Sequence, residues 1–197
     1  LEVLAQMDRP KFVIADTMNF WISGEPKLLG EVMKKVDLLV INEEEARQLA
    51  GVHNISKAAT ALRAIGPKVV VIKRGEYGAM LFHPDGLFVS PAVPLRDVVD
   101  PTGAGDTFAS GLMGYLAQTG EVDFATLKRA VLAGTMVPGC GWPSMKSTMA
   151  SVSSNCAHWQ QSAPCESSTN EPPSKTSSSC PPARFAYTTG RPVLAVR

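Results

Sequence analysis

Short runs of apolar residues recur along the first 137 residues of the chain. Three of them, KFVIAD, DLLVIN and KVVVIKRG, lie at residues 11–16, 37–42 and 68–75. Apolar runs of this length predict strands that are buried on both faces. A fourth pattern, at residues 78–94, places His-Pro-Asp-Gly between two apolar runs and predicts a hairpin.

The segments between these strands have the 3.6-residue period of amphipathic helices. Pro26 is predicted to open the first helix, because its fixed backbone angle suits the first turn. Ser56 is predicted to cap a helix that ends at Gly66. Other helices are predicted at residues 43–51, 106–120 and 123–136.

Strands that alternate with helices predict an α/β fold with a mainly parallel sheet that is covered on both faces. In such sheets, ligands bind beyond the carboxyl ends of the strands. Asp16, Asn42 and Lys73 each follow a predicted strand, and so does the loop around Gly103. We therefore expect these residues to lie along one rim of the sheet.

The composition changes after residue 137. Residues 138–197 are rich in Ser, Pro, Thr and Cys and show neither a helical nor a strand period. Such a segment cannot bury enough apolar area to offset its conformational entropy, so a disordered tail is expected there. The segment contains no C-x-x-C pair of the kind typical of metal sites. It holds all four cysteines: Cys140, Cys156, Cys165 and Cys180.

Net charge and hydropathy argue against several classes of partner. The net charge of +1 gives no electrostatic reason to bind nucleic acid or an anionic membrane. No apolar run is long enough to cross a bilayer, and the first ten residues do not resemble a signal peptide. The sequence therefore predicts a cytoplasmic protein without a nucleic-acid or membrane partner.

The stretch DVVDPTGAGDTFASG, at residues 97–111, carries the main chemical signal. Gly103 and Gly105 lack a Cβ atom, so their backbone can turn sharply and approach a ligand closely. Asp106 begins a helix, and a helix N-terminus offers unpaired N–H groups to an anion. A capped helix after a turn is the simpler alternative. The small residues 109–111 favour the anion site, because they predict close helix packing behind the loop.

This stretch resembles the second signature of the PfkB, or ribokinase-like, family of carbohydrate and nucleoside kinases. VINEEEARQL resembles the N-x-x-E motif of that family, with Asn42 and Glu45, and VVVIKRGEYGAMLF resembles its nucleotide-binding strand and turn. The resemblance covers roughly residues 8–137, as the C-terminal part of a three-layer α/β/α domain. It implies transfer of the ATP γ-phosphate to a hydroxyl of a sugar or nucleoside.

The resemblance also implies roles for the residues of the glycine loop. Asp106 would be the general base that takes the proton of the substrate hydroxyl. Gly103, Ala104 and Gly105 would direct backbone N–H groups at the phosphoryl group during transfer.

The implied cofactors are ATP and Mg²⁺, with K⁺ as a further ion. Glu45 would reach Mg²⁺ through water, since Mg²⁺ keeps several of its water ligands. Asp100 and Thr102 match positions that help to bind a monovalent cation in many members of the family. The other nucleotide-site residues implied are Lys73, Gly75, Gly78 and Asn42.

Simpler interpretations stand beside these roles. The acidic residues 43–45 can be a solvated first turn of a helix. Lys73 can be a surface charge, and Asp16 with Asn19 can form an Asx-type turn.

The chain departs from the family pattern at both ends. The N-terminal half of such a domain holds the acceptor site and a β lid, and we expect neither here. The family pattern also stops near Val137, for which we hypothesise a reading-frame slip, with a natural disordered extension as the alternative. The expected function is a PfkB-type kinase, and the alternative is a truncated, inactive fragment that at most binds nucleotide. A homodimer is expected only for the full-length form.

Overall fold

The computed structural model describes Gln6, residues 10–94 and 102–137, and the backbone of residues 193–196. Within these residues six strands form one mixed sheet. The strands are β1 (Phe12–Asp16), β2 (Leu38–Asn42), β3 (Val69–Lys73), β4 (Ala79–His83), β5 (Gly86–Ser90) and β6 (Val193–Val196). Their order across the sheet is β5-β4-β3-β2-β1-β6.

The helices lie between and after these strands, and one turn of 3₁₀ helix, Gly75–Tyr77, follows β3. The helices are α1 (Asn19–Gly24), α2 (Pro26–Met33), α3 (Glu43–Ala50), α4 (Ile55–Ile65), α5 (Ala104–Thr119) and α6 (Phe124–Met136).

The first three strands are parallel, and each is joined to the next by a pair of helices. β1 pairs with β2 and β2 with β3, in a register that places Asn42 opposite Lys73. β4 and β5 extend the sheet as the antiparallel hairpin that the sequence predicts. The carboxyl ends of β1, β2 and β3 therefore meet at the same edge.

The side chains of the parallel strands alternate between two buried cores. One core joins Ile14, Val40 and Val71 to the apolar residues of α5 and α6. The other joins Leu39 and Val70, on the opposite face, to residues of α2, α3 and α4. The sheet is thus covered on both faces, which confirms the predicted three-layer α/β/α arrangement.

Some helix ends differ from the sequence prediction. The cap of α4 is Asn54, whose side-chain oxygen accepts the Lys57 N–H at 3.0 Å. The prediction of Ser56 as this cap is wrong, because Asn54 is also a strong capping residue and lies at the position where the backbone turns into the helix. The six-residue helix α1 was not predicted, since it is too short to show a helical period.

β6 lies in the segment for which the composition predicts no strand. Its backbone pairs antiparallel with β1, with Phe12 opposite Val196 and Ala15 opposite Val193. The rest of residues 138–197, including the four cysteines and the hypothesised frame slip, lies outside the described residues.

α5 and α6 pack closely because glycines face each other between them. A Cβ atom on Gly111 would lie 3.1 Å from the Cα of Gly134. A Cβ atom on Gly134 would lie 2.9 Å from the carbonyl oxygen of Phe108. The close packing that the small residues behind the glycine loop predict is therefore confirmed, and it fixes where α5 begins.

Gly134→Ala is expected to lower the free energy of unfolding by about 1–3 kcal/mol, because the added methyl group must displace the backbone of α5. Gly30→Ala is the matched control, since Gly30 lies inside α2 with nothing within 4 Å of the added atom. There the same change should raise the free energy of unfolding by up to about 1 kcal/mol. Urea unfolding followed by circular dichroism measures both, and equal effects at the two sites would contradict the packing argument.

Candidate functional site

Polar residues end all three parallel strands at the same edge of the sheet. Asp16 ends β1, Asn42 ends β2 and Lys73 ends β3. The N-terminus of α5 lies over this edge, because a Cβ atom on Gly105 would be 3.0 Å from Nζ of Lys73. The structure therefore brings together the residues that the sequence analysis expected along one rim.

Asp16 and Lys73 form an ion pair at the centre of this rim. The Lys73 ammonium donates to Oδ2 of Asp16 at 2.8 Å and to Oδ1 at 3.1 Å. The Asp16 side chain is 9% exposed and the Lys73 side chain is 17% exposed. The Thr17 N–H also donates to Oδ1, at 2.9 Å. The interpretation of Lys73 as a surface charge is therefore wrong, and Asp16 combines a local bond to the next backbone N–H with a long-range ion pair.

Sequence reasoning missed this pair, although the sequence held a usable signal. Opposite charges stand directly after two strands that were both predicted to be parallel. Residues that end parallel strands share an edge of the sheet, so an acid and a base there are candidates for pairing. This signal does not show that Asp16 and Lys73 are close enough to pair, because β2 lies between β1 and β3.

The N-x-x-E motif forms a reciprocal cap at the start of α3. Oδ1 of Asn42 accepts the Glu45 N–H at 2.7 Å, and Oε2 of Glu45 accepts the Asn42 N–H at 3.3 Å. This is the capping-box pattern, which satisfies two N–H groups that a helix would otherwise leave unpaired. Glu45 is buried and Glu44 is exposed, so only part of the acidic first turn is solvated.

Glu43 pairs with two arginines. Its carboxylate accepts a hydrogen bond from Nε of Arg74 at 2.9 Å and another from Arg47. These contacts tie α3 to the loop after β3, because Arg74 directly follows that strand.

The charged groups of the rim influence one another. Burial raises the pKa of the Asp16 carboxyl, and the Lys73 ammonium opposes this rise. Burial also raises the pKa of the Glu45 carboxyl. The hydrogen bond from the Asn42 N–H and the Lys73 ammonium both oppose this rise. Asp106 adds a smaller upward influence on the pKa of Asp16. Asp16 thus interacts electrostatically with Glu45 and Asp106 as well as with Lys73, and the ammonium lowers the pKa of both Asp16 and Glu45.

The start of α5 has the geometry of an anion site. Gly103 occupies the N-cap with φ of 80°, a left-handed conformation that favours glycine. The first intrahelical bond runs from the Thr107 N–H to the Gly103 carbonyl at 2.9 Å. The N–H groups of residues 104–106 precede that bond and have no acceptor within the helix. Asp106 is exposed in this first turn and is not the N-cap residue.

The two glycines after β3 differ in their surroundings. A Cβ atom on Gly78 would lie 2.0 Å from the carbonyl oxygen of Ser90, so packing against the end of β5 already requires glycine there. Gly75 also has a positive φ, of 56°, but its added Cβ atom would meet nothing within 4 Å. Packing therefore accounts for the glycine at position 78 and does not account for the glycine at position 75.

The predicted ion-binding residues are only partly described. Thr102 is exposed just before the glycine loop, and Asp100 lies outside the described residues. Across the part of the chain that the structure describes, no three His, Cys, Asp or Glu side chains are grouped so as to hold a metal ion by themselves. Within the same residues, no helix combines the length and the apolar composition needed to cross a bilayer.

Comparison with known proteins identifies a family and several relatives. The sequence model of the pfkB family of carbohydrate kinases matches residues 10–140. Cytidine kinase of Thermococcus kodakarensis is 44% identical over 92 residues, which are 45% of this chain and 32% of that protein. Aminoimidazole riboside kinase of Salmonella typhimurium is 35% identical over 106 residues, which are 54% and 33% of the two chains.

A solved structure shares the fold. The crystal structure of aminoimidazole riboside kinase from Salmonella enterica, complexed with aminoimidazole riboside and an ATP analog, matches with a TM-score of 0.59 and 29% identity. The match covers 65% of this chain and 44% of that one. It confirms the predicted ribokinase-like fold. The chain spans about a third of the length of the curated relatives named here.

Glu45→Gln is expected to raise the free energy of unfolding at pH 7. A carboxyl whose pKa is raised on folding binds its proton more tightly in the folded state. Its contribution to stability is therefore full below its ordinary pKa of 4.5 and is lost as the pH rises through the higher folded value. Gln keeps an oxygen for the Asn42 N–H and carries no charge, so it avoids that loss.

Urea unfolding between about pH 4 and pH 8 measures this effect, and the gain should shrink as the pH falls. Glu44→Gln is the control, because this side chain is exposed on the same turn. It should change the free energy of unfolding by no more than about 0.5 kcal/mol. If Glu45→Gln lowered stability equally at every pH, the charge would not be the cause.

Proposed function

Because the chain belongs to the pfkB family of carbohydrate kinases, we propose that it transfers the γ-phosphate of ATP to a hydroxyl of a sugar or nucleoside. The observation that carries this proposal is the convergence at one rim of an open helix N-terminus, a fixed ammonium group and an exposed carboxylate. Phosphoryl transfer depends mainly on positioning and charge stabilisation, and these three groups supply both.

Asp106 is proposed as the general base. The hydroxyl oxygen of the acceptor attacks the γ-phosphorus, the bond between that phosphorus and the β–γ bridging oxygen breaks, and ADP leaves. The proton of the hydroxyl passes to the Asp106 carboxylate. This carboxylate is exposed in the first turn of α5, beside the N–H groups that would face the phosphate.

The groups that stabilise charge on the phosphate belong to two elements. The N–H groups of Ala104, Gly105 and Asp106 lie at the positive end of α5, where an anion is favoured. Gly103 shapes the turn that exposes them, and Lys73 adds a full positive charge close to Gly105. Gly75, Gly78 and Asn42 are proposed to shape the rest of the nucleotide site.

The donors at the rim fit a magnesium ion bound together with ATP. Mg²⁺ is usually held by one or two carboxylates, by substrate phosphates and by water, all through oxygen. Glu45 would hold it through water, and the bound ion would supply positive charge to the β- and γ-phosphates. Thr102 and Asp100 are proposed for K⁺ on the strength of the family resemblance.

Ribose-containing molecules are the proposed substrates. The two relatives compared above are named for cytidine and for aminoimidazole riboside, and both of these carry a ribose ring. We also propose the cytoplasmic location that the sequence analysis expects.

A fragment that binds Mg·ATP without phosphorylating an acceptor is the second candidate. It is favoured by the content of the rim, since the described residues there are proposed for ATP, Mg²⁺ and proton transfer, and none of them is proposed to hold the acceptor. The two candidates share the nucleotide site and differ only in whether product forms.

Asp106→Asn is expected to lower the turnover of the full chain by about 10²–10⁴-fold, because it removes the group that takes the acceptor proton. The affinity for Mg·ATP should not fall, since the substitution removes a negative charge beside the phosphate. The assay incubates the chain with Mg·ATP and cytidine, aminoimidazole riboside or ribose, and measures ADP and phosphorylated product. Asp123→Asn is the control, because Asp123 caps α6 and Asn also caps well.

The outcomes separate the candidates. Product from the unaltered chain, lost in Asp106→Asn and kept in Asp123→Asn, supports the kinase. ATP binding without product for any acceptor supports the fragment. Full turnover by Asp106→Asn would rule out its role as the base.

A further inference from the structure

We propose that Asp16 is a positioning residue that holds the Lys73 ammonium against the first turn of α5. In this arrangement the ammonium and the helix N–H groups form one composite site for a phosphate. The inference rests on the proposed function, since it takes the triphosphate of ATP as the anion. It assigns a role to a residue outside the glycine loop and the N-x-x-E motif.

The contacts of Asp16 leave the ammonium little freedom. A lysine side chain samples many rotamers when it is free. Here both carboxylate oxygens accept from Nζ, and the pair is largely shielded from water. The carboxylate is itself fixed, because it ends the buried strand β1 and accepts the Thr17 N–H. Lys73 therefore has one defined position.

That position lies against the first turn of α5. A Cβ atom on Gly105 would come within 3.0 Å of Nζ and 3.9 Å of Cε of Lys73. A side chain at position 105 would press on the ammonium, so its absence lets the ammonium approach the helix backbone without displacement. Gly105 of the glycine loop thus also determines how closely Lys73, 32 positions earlier in the chain, can approach α5.

This approach brings two positive groups together. A helix N-terminus carries about half a positive charge, and an ammonium beside it is unfavourable unless a negative group offsets it. Asp16 supplies that negative charge while no ligand is present. A bound phosphate would contact both positive groups, and it would gain from their being held together in advance.

The Asp16 carboxylate also repels a phosphate, which makes its net effect on binding informative. If Asp16 is only a nearby negative charge, Asp16→Asn removes repulsion and tightens binding of Mg·ATP. If Asp16 positions Lys73, the same substitution frees the ammonium and weakens binding. The direction of the change therefore distinguishes the two roles.

The experiment titrates the full chain with Mg·ATP, and separately with Mg·triphosphate, by isothermal calorimetry. The variants are Asp16→Asn, Lys73→Met and the double variant. Asp16→Asn is expected to weaken both ligands by on the order of tenfold, the loss of about one charge-assisted contact. Lys73→Met should weaken them at least as much. In the double variant, Asp16→Asn should cause no further loss, since the group that it positions is gone.

Thermal unfolding of each variant shows whether it is folded. If Asp16→Asn alone does not fold, because Lys73 is left without its partner, the double variant keeps the test available. Its affinity should equal or exceed that of Lys73→Met. A further tenfold loss in the double variant would overturn the inference, because Asp16 would then act independently of Lys73.

Failure of the inference is distinguishable from failure of the proposed function. If the unaltered chain binds neither ligand, the nucleotide site itself is wrong and both proposals fall. If it binds both and Asp16→Asn binds equally well or more tightly, the positioning role is wrong and the nucleotide site stands.

Discussion

The parallel pairing of β1, β2 and β3 is the constraint on which the rest of the structure depends. Both faces of these strands are buried against helices, so polar side chains can be placed only at their ends. Parallel direction brings all three carboxyl ends to one edge, and the close packing of α5 on α6 sets the glycine loop over that edge. The candidate site follows from this arrangement of buried backbone.

The site is held at an electrostatic cost. Burial raises the pKa of both Asp16 and Glu45, which means that the folded environment disfavours their charged forms. Lys73 offsets part of this cost at Asp16, and the Asn42 N–H offsets part of it at Glu45. The structure therefore keeps two carboxylates at the rim, although burial disfavours their charged forms.

Much of the fold could be predicted from the sequence, because its signals are local. Apolar runs identified β1, β2 and β3, and Gly51 ends α3 in the left-handed conformation expected of a helix terminator. Where two local signals competed, prediction failed, as with Ser56 and Asn54. β6 could not be predicted, since its position comes from pairing with β1, far away in the sequence.

The candidate site likewise combines features that local sequence determines with features that depend on tertiary structure. The sequence by itself determined the glycine loop, the N-x-x-E cap and the polar residue at the end of each strand, since each depends on only a few consecutive residues. Only the tertiary structure decided that Lys73 pairs with Asp16, 57 residues away, and that its ammonium rests against Gly105. These contacts depend on strand order and helix packing, in which small differences in backbone position decide which charged groups can meet.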